Sequence, residues 1–415
     1  MNKLKSNKLA DLILLLLVLY IFQLPNFISL LLNKNFGFAE LQYKVEVTLA
    51  LPVAFFLIMA VFKRQLKLPY IREFLLVELF FVFFESEFFR PGNVPVLTYP
   101  YSLLILYCVF VALVNYGRKI ENVEKVISYS VAAVTFLAVT VMLGYLGILE
   151  ISMESGDFFL NELARSRPVG NIIHTNGCSL ACCAAIFLLL IAQTHAQTRK
   201  RSNKTVLLLV TLLLSLIIIN SSMGAFLIAC VGLGTYLIQT WDSRHPYANF
   251  VILYIILIFS LAWLFPTDIP FLEKFYIYNR VSEEGQFTSR FRQVYVTWIN
   301  FVENPWFGVG YFNAARGVLP GYTRSNFHYT QILATNGIFY FVMFAYFLIK
   351  MFGINFRKLT SFLCMVIGLA TFMFYNWTSL FPLAIFAYIV CFEKGQAELV
   401  RESAETQPEL ALDAG

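Results

Sequence analysis

Between about Pro266 and Asn326 the chain carries Arg280, Arg290, Arg292, Arg316 and Arg324, and His328 follows at once. Guanidinium groups grip phosphate or carboxylate oxygens two at a time, and an imidazole among them can take a proton. The cluster suits an anionic substrate whose reaction releases a proton. His328 follows Ser-Asn-Phe at the start of an apolar run. The positive end of a helix favours a neutral imidazole, the form that accepts a proton. The plainer role for such a histidine is an interfacial side chain; the neighbouring arginines favour the chemical one.

Something other than a soluble domain must position these groups. The chain is 59% hydrophobic and 13% charged, with a mean hydropathy of +0.70, a balance foreign to soluble globules. A membrane span needs about 20 apolar residues as a helix, and only helices or closed barrels satisfy the backbone in lipid. The apolar runs are long and unbroken, so the expected fold is all-α, a polytopic transmembrane helical bundle of about twelve spans. Residues 1–265 supply about nine helices, 266–326 a long extracytoplasmic Arg-rich loop, 327–392 about three helices, and 393–415 a disordered cytoplasmic tail. Unstructured loops longer than about 15 residues are uncommon, and this one is rich in aromatic residues, so it should fold back onto the protein. The first run, Ala10 to Leu32, follows Lys3, Lys5 and Lys8 but lacks a small-residue cleavage site and reads as a retained helix. Between the seventh and eighth runs only Asn220, Ser221 and Ser222 intervene. They read either as a tight outer turn or as a break in one long helix.

Lys and Arg crowd the loops on one side: Lys63, Arg64 and Lys67; Arg118, Lys119 and Lys125; Arg199, Lys200 and Arg201; Arg357 and Lys358. By the positive-inside rule that side is cytoplasmic and holds both termini. The net charge of +6 is therefore a matter of topology and not of nucleic acid. On the other side the positive charges are mainly arginine: Arg90, the pair Arg165 and Arg167, and the long loop. Topogenic charge is Lys and Arg alike, so arginine there points to ligand binding. Below Arg165 and Arg167, His174 and Asn176 form either an interhelical bond or part of a pocket. In the third run Glu73, Glu78, Glu85 and Glu87 are either partners for outer arginines or functional ionisable groups within a span.

The seven cysteines fall in or beside apolar runs without ligand spacing, and are expected to be packing residues, with neither a disulfide framework nor zinc. Phosphate-binding loops, dinucleotide turns and nucleophile elbows are absent. No cofactor is implied, and an enzyme of this kind would need a substrate that arrives already activated.

The stretch TSRFRQVYVTWINFVENPWFGVGYF, followed by HYTQILATNGIFYFVMF, resembles the signature of the O-antigen polymerase and O-antigen ligase superfamily. Arg290, Pro305, Gly308, Gly310, His328 and Gly337 carry the match, and Arg167, Gly170 and Asn176 resemble the family's upstream Arg-x-x-Gly…Asn motif. There are two departures. Ser222, Met223 and Gly224 stand where the family often has Ser-Arg-Gly, and His328 lies about two residues closer to QILATNG than the family's usual His, whose place is nearer Asn326. The resemblance implies a GT-C-like membrane glycosyltransferase, independent of metal, that uses undecaprenyl-diphosphate-linked glycans as donor and acceptor. It implies a Wzy-type polymerase making O-antigen, capsule or exopolysaccharide at the outer face of the inner membrane, with membrane lipid around it and a chain-length regulator as a possible protein partner. Arg290 and Arg292 would hold the diphosphate, with His328 orienting or deprotonating the acceptor. Arg165, Arg167, Arg280, Arg324, Asn176 and His174 would contribute to substrate binding. A ligase passing finished glycan to a lipid or protein acceptor is the alternative within the family. A lipid-linked oligosaccharide flippase is the alternative outside it, although the lopsided outer loop and the lack of a visible repeat disfavour transport.

Reporter fusions at Gln286 are expected to give an extracytoplasmic signal. A cytoplasmic signal would remove the substrate-binding role of the loop arginines.

Overall fold

The computed structural model describes residues 2–22, 24–36, 66–84, 98–117, 119–149, 175–194, 202–219, 222–240, 286–310, 328–353, 359–374 and 381–412. All regular structure among them is helical. In chain order the helices are α1 (Asn2–Ile21), α2 (Leu24–Phe36), α3 (Ile71–Phe84), α4 (Thr98–Tyr116), α5 (Ile120–Tyr145) and α6 (Thr175–Thr194). They continue with α7 (Asn203–Ile219), α8 (Met223–Thr240), α9 (Gln286–Glu303), α10 (His328–Phe352), α11 (Leu359–Phe374) and α12 (Phe381–Leu412). Among the described residues two stretches are both long and apolar enough to cross a membrane, Ile120–Gly144 of α5 and Tyr329–Phe352 of α10. Shorter apolar helices surround them, including Cys178–Thr194 and Lys204–Ile219.

The core follows from the side-chain pattern. Residues 178–191 of α6 are buried on every face, and a helix apolar all round belongs inside a bundle. Its Ala and Cys residues let neighbours approach closely, and α5, α7, α8 and α11 all pack on it. The Cys183 thiol reaches the Ala225 carbonyl at 3.0 Å, and Phe187 packs at Gly232, so α6 and α8 run the same way. α7 and α8 also touch each other while both lie on α6. Laid end to end, α7 and α8 would be about 50 Å long against about 30 Å for α6, at 1.5 Å per residue. The chain therefore reverses direction between α7 and α8 and does not run on as one long helix.

Two elements differ from the sequence expectations. The run Ala10 to Leu32 is divided, with α1 ending at Ile21 and α2 starting at Leu24 with Pro25 in its first turn. Proline has no N–H to donate and suits only the start of a helix. α12 runs unbroken from Phe381 to Leu412, so helix continues beyond residue 393. The segment there is rich in Glu, Ala, Leu and Gln, all strong helix formers.

One end of the bundle gathers basic residues. The Lys67 N–H donates to Asn115 Oδ1 at 3.1 Å while Asn115 Nδ2 returns a bond to the Lys67 carbonyl at 2.8 Å. Lys394 Nζ donates to the Tyr70 hydroxyl and to the Lys350 carbonyl, each at 3.3 Å. α3 and α10 run antiparallel from this end, since Phe74 meets Phe347 and Phe81 meets Tyr340.

Toward the other end α10 is broken. Gly337 has φ 75° and ψ −177° inside the helix, a region open essentially to glycine alone. In a continuous helix the Ile338 N–H would bond the Ala334 carbonyl and the Phe339 N–H the Thr335 carbonyl. Instead the turn after α9 supplies the partners. Val309 N donates to Ala334 O at 2.7 Å, Gly310 N to Thr335 O at 2.9 Å, and Ile338 N to Pro305 O at 2.8 Å. The turn can lie this close because Gly308 and Gly310 also have positive φ, 66° and 93°. A Cβ on Gly308 would strike the backbone of Ala334 and Thr335, and one on Gly337 would strike the Trp306 carbonyl and Phe307 N.

Gly337→Ala and Gly308→Ala should each destabilise the protein by about 1–3 kcal/mol from backbone strain alone, with the backbone collisions adding to it. Gly234→Ala, where nothing lies within 4 Å of the added methyl, should change stability by less than about 1 kcal/mol. Thermal unfolding in detergent compares the three. Equal melting for Gly337→Ala and Gly234→Ala would contradict the stitched break.

Candidate functional site

The turn of residues 304–310 joins two elements that carry candidate chemistry. α9 is amphipathic: Val296 and Thr297 are buried where it packs on α10, while Tyr295, Trp298 and Val302 lie on the opposite face. The sequence makes this inevitable once a helix forms, because the apolar residues of QFTSRFRQVYVTWINFVE fall at helical spacing between Arg, Gln, Asn and Glu. Thr297 has no exposed surface, and its hydroxyl donates to the Val294 carbonyl at 2.9 Å.

Arg290 and Arg292 lie in the first two turns of α9. Arg290 stands seven residues before Thr297, hence on the register that is buried at Thr297; Arg292 is two residues on, about 200° round the axis. His328 is the first residue of α10, nine before the break. The packing of α9 on α10 therefore brings together the two helices that bear Arg290, Arg292 and His328. Asn176 sits in the first turn of α6. Arg165, Arg167, His174, Arg280 and Arg324 lie outside the described residues, as do Glu85 and Glu87. In α3 the Glu78 Oε1 atom is buried without a hydrogen-bond partner among the described residues. Its expected pairing with outer arginines falls on segments outside them.

The structure adds a set that sequence reasoning passed over. Gln331, Thr335 and Asn336 are 4%, 1% and 1% exposed, all in the half of α10 before the break. The Thr335 hydroxyl donates to the Gln331 carbonyl. The signal was visible in QILATNG: polar residues at i, i+4 and i+5 inside an apolar run. Amides and hydroxyls at such a place can bond sugar hydroxyls, and arginines on the adjoining helix can hold an anion. All seven cysteines are free thiols, five of them buried. Among the described residues no group of three His, Cys, Asp or Glu side chains is placed to hold a metal ion.

No curated protein matches the chain. The family model described as O-antigen ligase matches residues 207–345, a segment that spans α7, α8, α9, the stitching turn and α10 through the break. Of its helices α7, α8 and α10 are apolar, and the family is membrane-embedded, consistent with a membrane protein. That segment holds Arg290, Gly308, Gly310, His328 and Gly337, and its match supports membership of the O-antigen polymerase and ligase superfamily.

Proposed function

We propose that the protein is a Wzy-type polymerase of about twelve transmembrane spans in the cytoplasmic membrane, with both termini cytoplasmic and α9 on the outer side. The growing glycan passes from undecaprenyl diphosphate to the terminal sugar of a new carrier-linked unit. The acceptor hydroxyl oxygen bonds to the anomeric carbon of the donor. The bond from that carbon to the diphosphate oxygen breaks, and the diphosphate leaves with the electron pair. The hydroxyl proton goes to His328. Charge that develops on the leaving group is met by Arg290, with Arg292 beside it, because fixed guanidinium groups stabilise such charge without reorganisation. Arg165, Arg167, Arg280 and Arg324, with Asn176 and His174, complete substrate binding from other outer segments.

The observation that carries this reading is the seating of the arginine-bearing helix α9 on the broken span α10, within the segment that matches the family. Chain growth is favoured over transfer of finished glycan by the lack of arginine at 222–224, where Ser222, Met223 and Gly224 stand.

With purified carrier-linked repeat units and matched protein levels, Arg290→Ala should lose more rate than Arg292→Ala. A charge-assisted phosphate contact is worth about 1.5–3 kcal/mol, so the loss should be about tenfold to more than a hundredfold. Lysine should restore only part, since a point charge cannot reproduce the guanidinium fork. Full activity in both alanine variants would exclude diphosphate binding by this pair. Product transferred to a lipid or protein acceptor without chain growth would assign a ligase instead.

His328→Ala should leave donor binding intact and slow turnover by about a hundredfold or more, the scale for removing a general base. Asn326→Ala should do little. Normal chain growth in His328→Ala would send the proton elsewhere.

A further inference from the structure

On the side of α9 that faces away from α10, Tyr295, Trp298 and Val302 are 64%, 49% and 58% exposed. They recur at i, i+3 and i+7, one above another on the helix. The row does not end with the helix. Trp306, 59% exposed in the turn, stacks on Phe339 with ring centres 5.4 Å apart, and Phe307 lies 5.8 Å from the same ring. Phe339 in turn begins the exposed stripe of α10, which continues through Val342, Tyr346 and Ile349 at helical spacing. Exposed apolar and aromatic residues thus follow one another from a helix long and apolar enough to cross a membrane, over the stitching turn, onto an amphipathic helix too polar to cross.

We propose that α9 is an interfacial helix, with this band seated in the boundary between headgroups and acyl chains of the bilayer. The proposal rests on the reading that α10 spans the membrane. Continuity decides the occupant: the stripe of a spanning helix faces acyl chains, ring stacking carries it onto Trp306 and Phe307 of the turn, and the exposed row of α9 follows four residues before Trp306 at Val302. The residue types agree, since Trp and Tyr, with an apolar body and a polar edge, concentrate at membrane interfaces. So does the depth, because the break at Gly337 lies about 20 Å along α10 from Lys350, at 1.5 Å per residue, and therefore toward the end remote from the basic residues. An amphipathic helix lying in the interface buries its apolar face about 5–10 Å into the boundary. Laid there, α9 holds its arginine-bearing first turns level with the lipid phosphates, the height at which the diphosphate of a membrane-anchored substrate also lies.

The test is quenching of tryptophan emission by brominated phospholipid in proteoliposomes. Trp241, Trp263 and Trp377 are replaced by Phe, leaving Trp298 and Trp306 as reporters. A second protein, with all five tryptophans replaced and Val342→Trp added, reports on α10. Emission from Trp298 and Trp306 is expected to fall by about half or more with bromine near the headgroup and less with bromine near the chain end, as for residues about 5–10 Å deep. The Val342→Trp reporter is expected to be quenched more strongly by the deeper bromine. If that reporter is quenched while Trp298 and Trp306 are not, the interfacial helix is overturned and the spanning helix stands. A cross-link between copies through Val302→Cys in that case would make a second copy the occupant. If neither is quenched, the spanning reading fails and the proposal with it. Should the replaced tryptophans prevent folding, the difference in quenching between the unaltered protein and Trp298→Phe gives the same reading.

Discussion

The exchange of hydrogen bonds at Gly337 is the constraint on which the rest of this architecture turns. A helix interrupted within an apolar bundle leaves N–H and C=O groups that water cannot reach, and each such group costs several kcal/mol in a hydrocarbon setting. Here three of the freed groups find backbone partners. Ala334 and Thr335 give their carbonyls to Val309 and Gly310, and Pro305 accepts from Ile338. Backbone partners at 2.7–2.9 Å leave little freedom, so the turn and the break fix each other. The glycines are the entry condition for that fit: Gly308 and Gly337 each occupy space that any Cβ would deny to the opposite strand of chain.

What the stitch accomplishes is to make the helix of the Arg-rich segment part of the bundle. α9 has no long apolar run to hold it in a membrane, and among its described side chains Val296 and Thr297 are buried. Its end is tied to α10 through the turn instead, and Trp306 and Phe307 clamp the tie against Phe339. Groups carried on a helix held in this way keep their geometry better than groups on a free loop, which matters when a developing charge must be met without reorganisation.

Much of this was legible in the sequence, and what was not has physical reasons. Hydropathy gave the helical bundle, because apolar runs of span length have few other folds open to them. The reversal of the chain between α7 and α8 was one of two readings, and only the packing of both helices on α6 could choose between them. Pro25 inside the first apolar run was a visible warning of the α1–α2 division, masked by the hydrophobicity on both sides of it. The Arg-rich segment was expected to fold back, and its described part, α9 and the turn, packs on α10. The break at Gly337 was hidden, since a glycine in an apolar helix usually means close packing, and its φ depends on a turn some thirty residues earlier in the chain. For the same reason Gln331, Thr335 and Asn336 read as part of a motif and not as a buried polar set.

The pair Arg290 and Arg292 shows where a linear reading reaches its limit. Read as a motif, two arginines separated by one residue look like a single anion clamp. In α9 that spacing is about 200° of helix, so the two positions belong to different faces. Arg290 shares the register of Thr297, on the side turned to α10, whereas Arg292 stands well round from it. Under the proposed function, an anion between α9 and α10 therefore falls first to position 290, with position 292 on the flank. The same rotation leaves Tyr295, Trp298 and Val302 free to form the outward band. One helix thus divides its circumference between a face packed on the bundle and an exposed aromatic face, and the turn bonded to the break in α10 fixes how the two are presented.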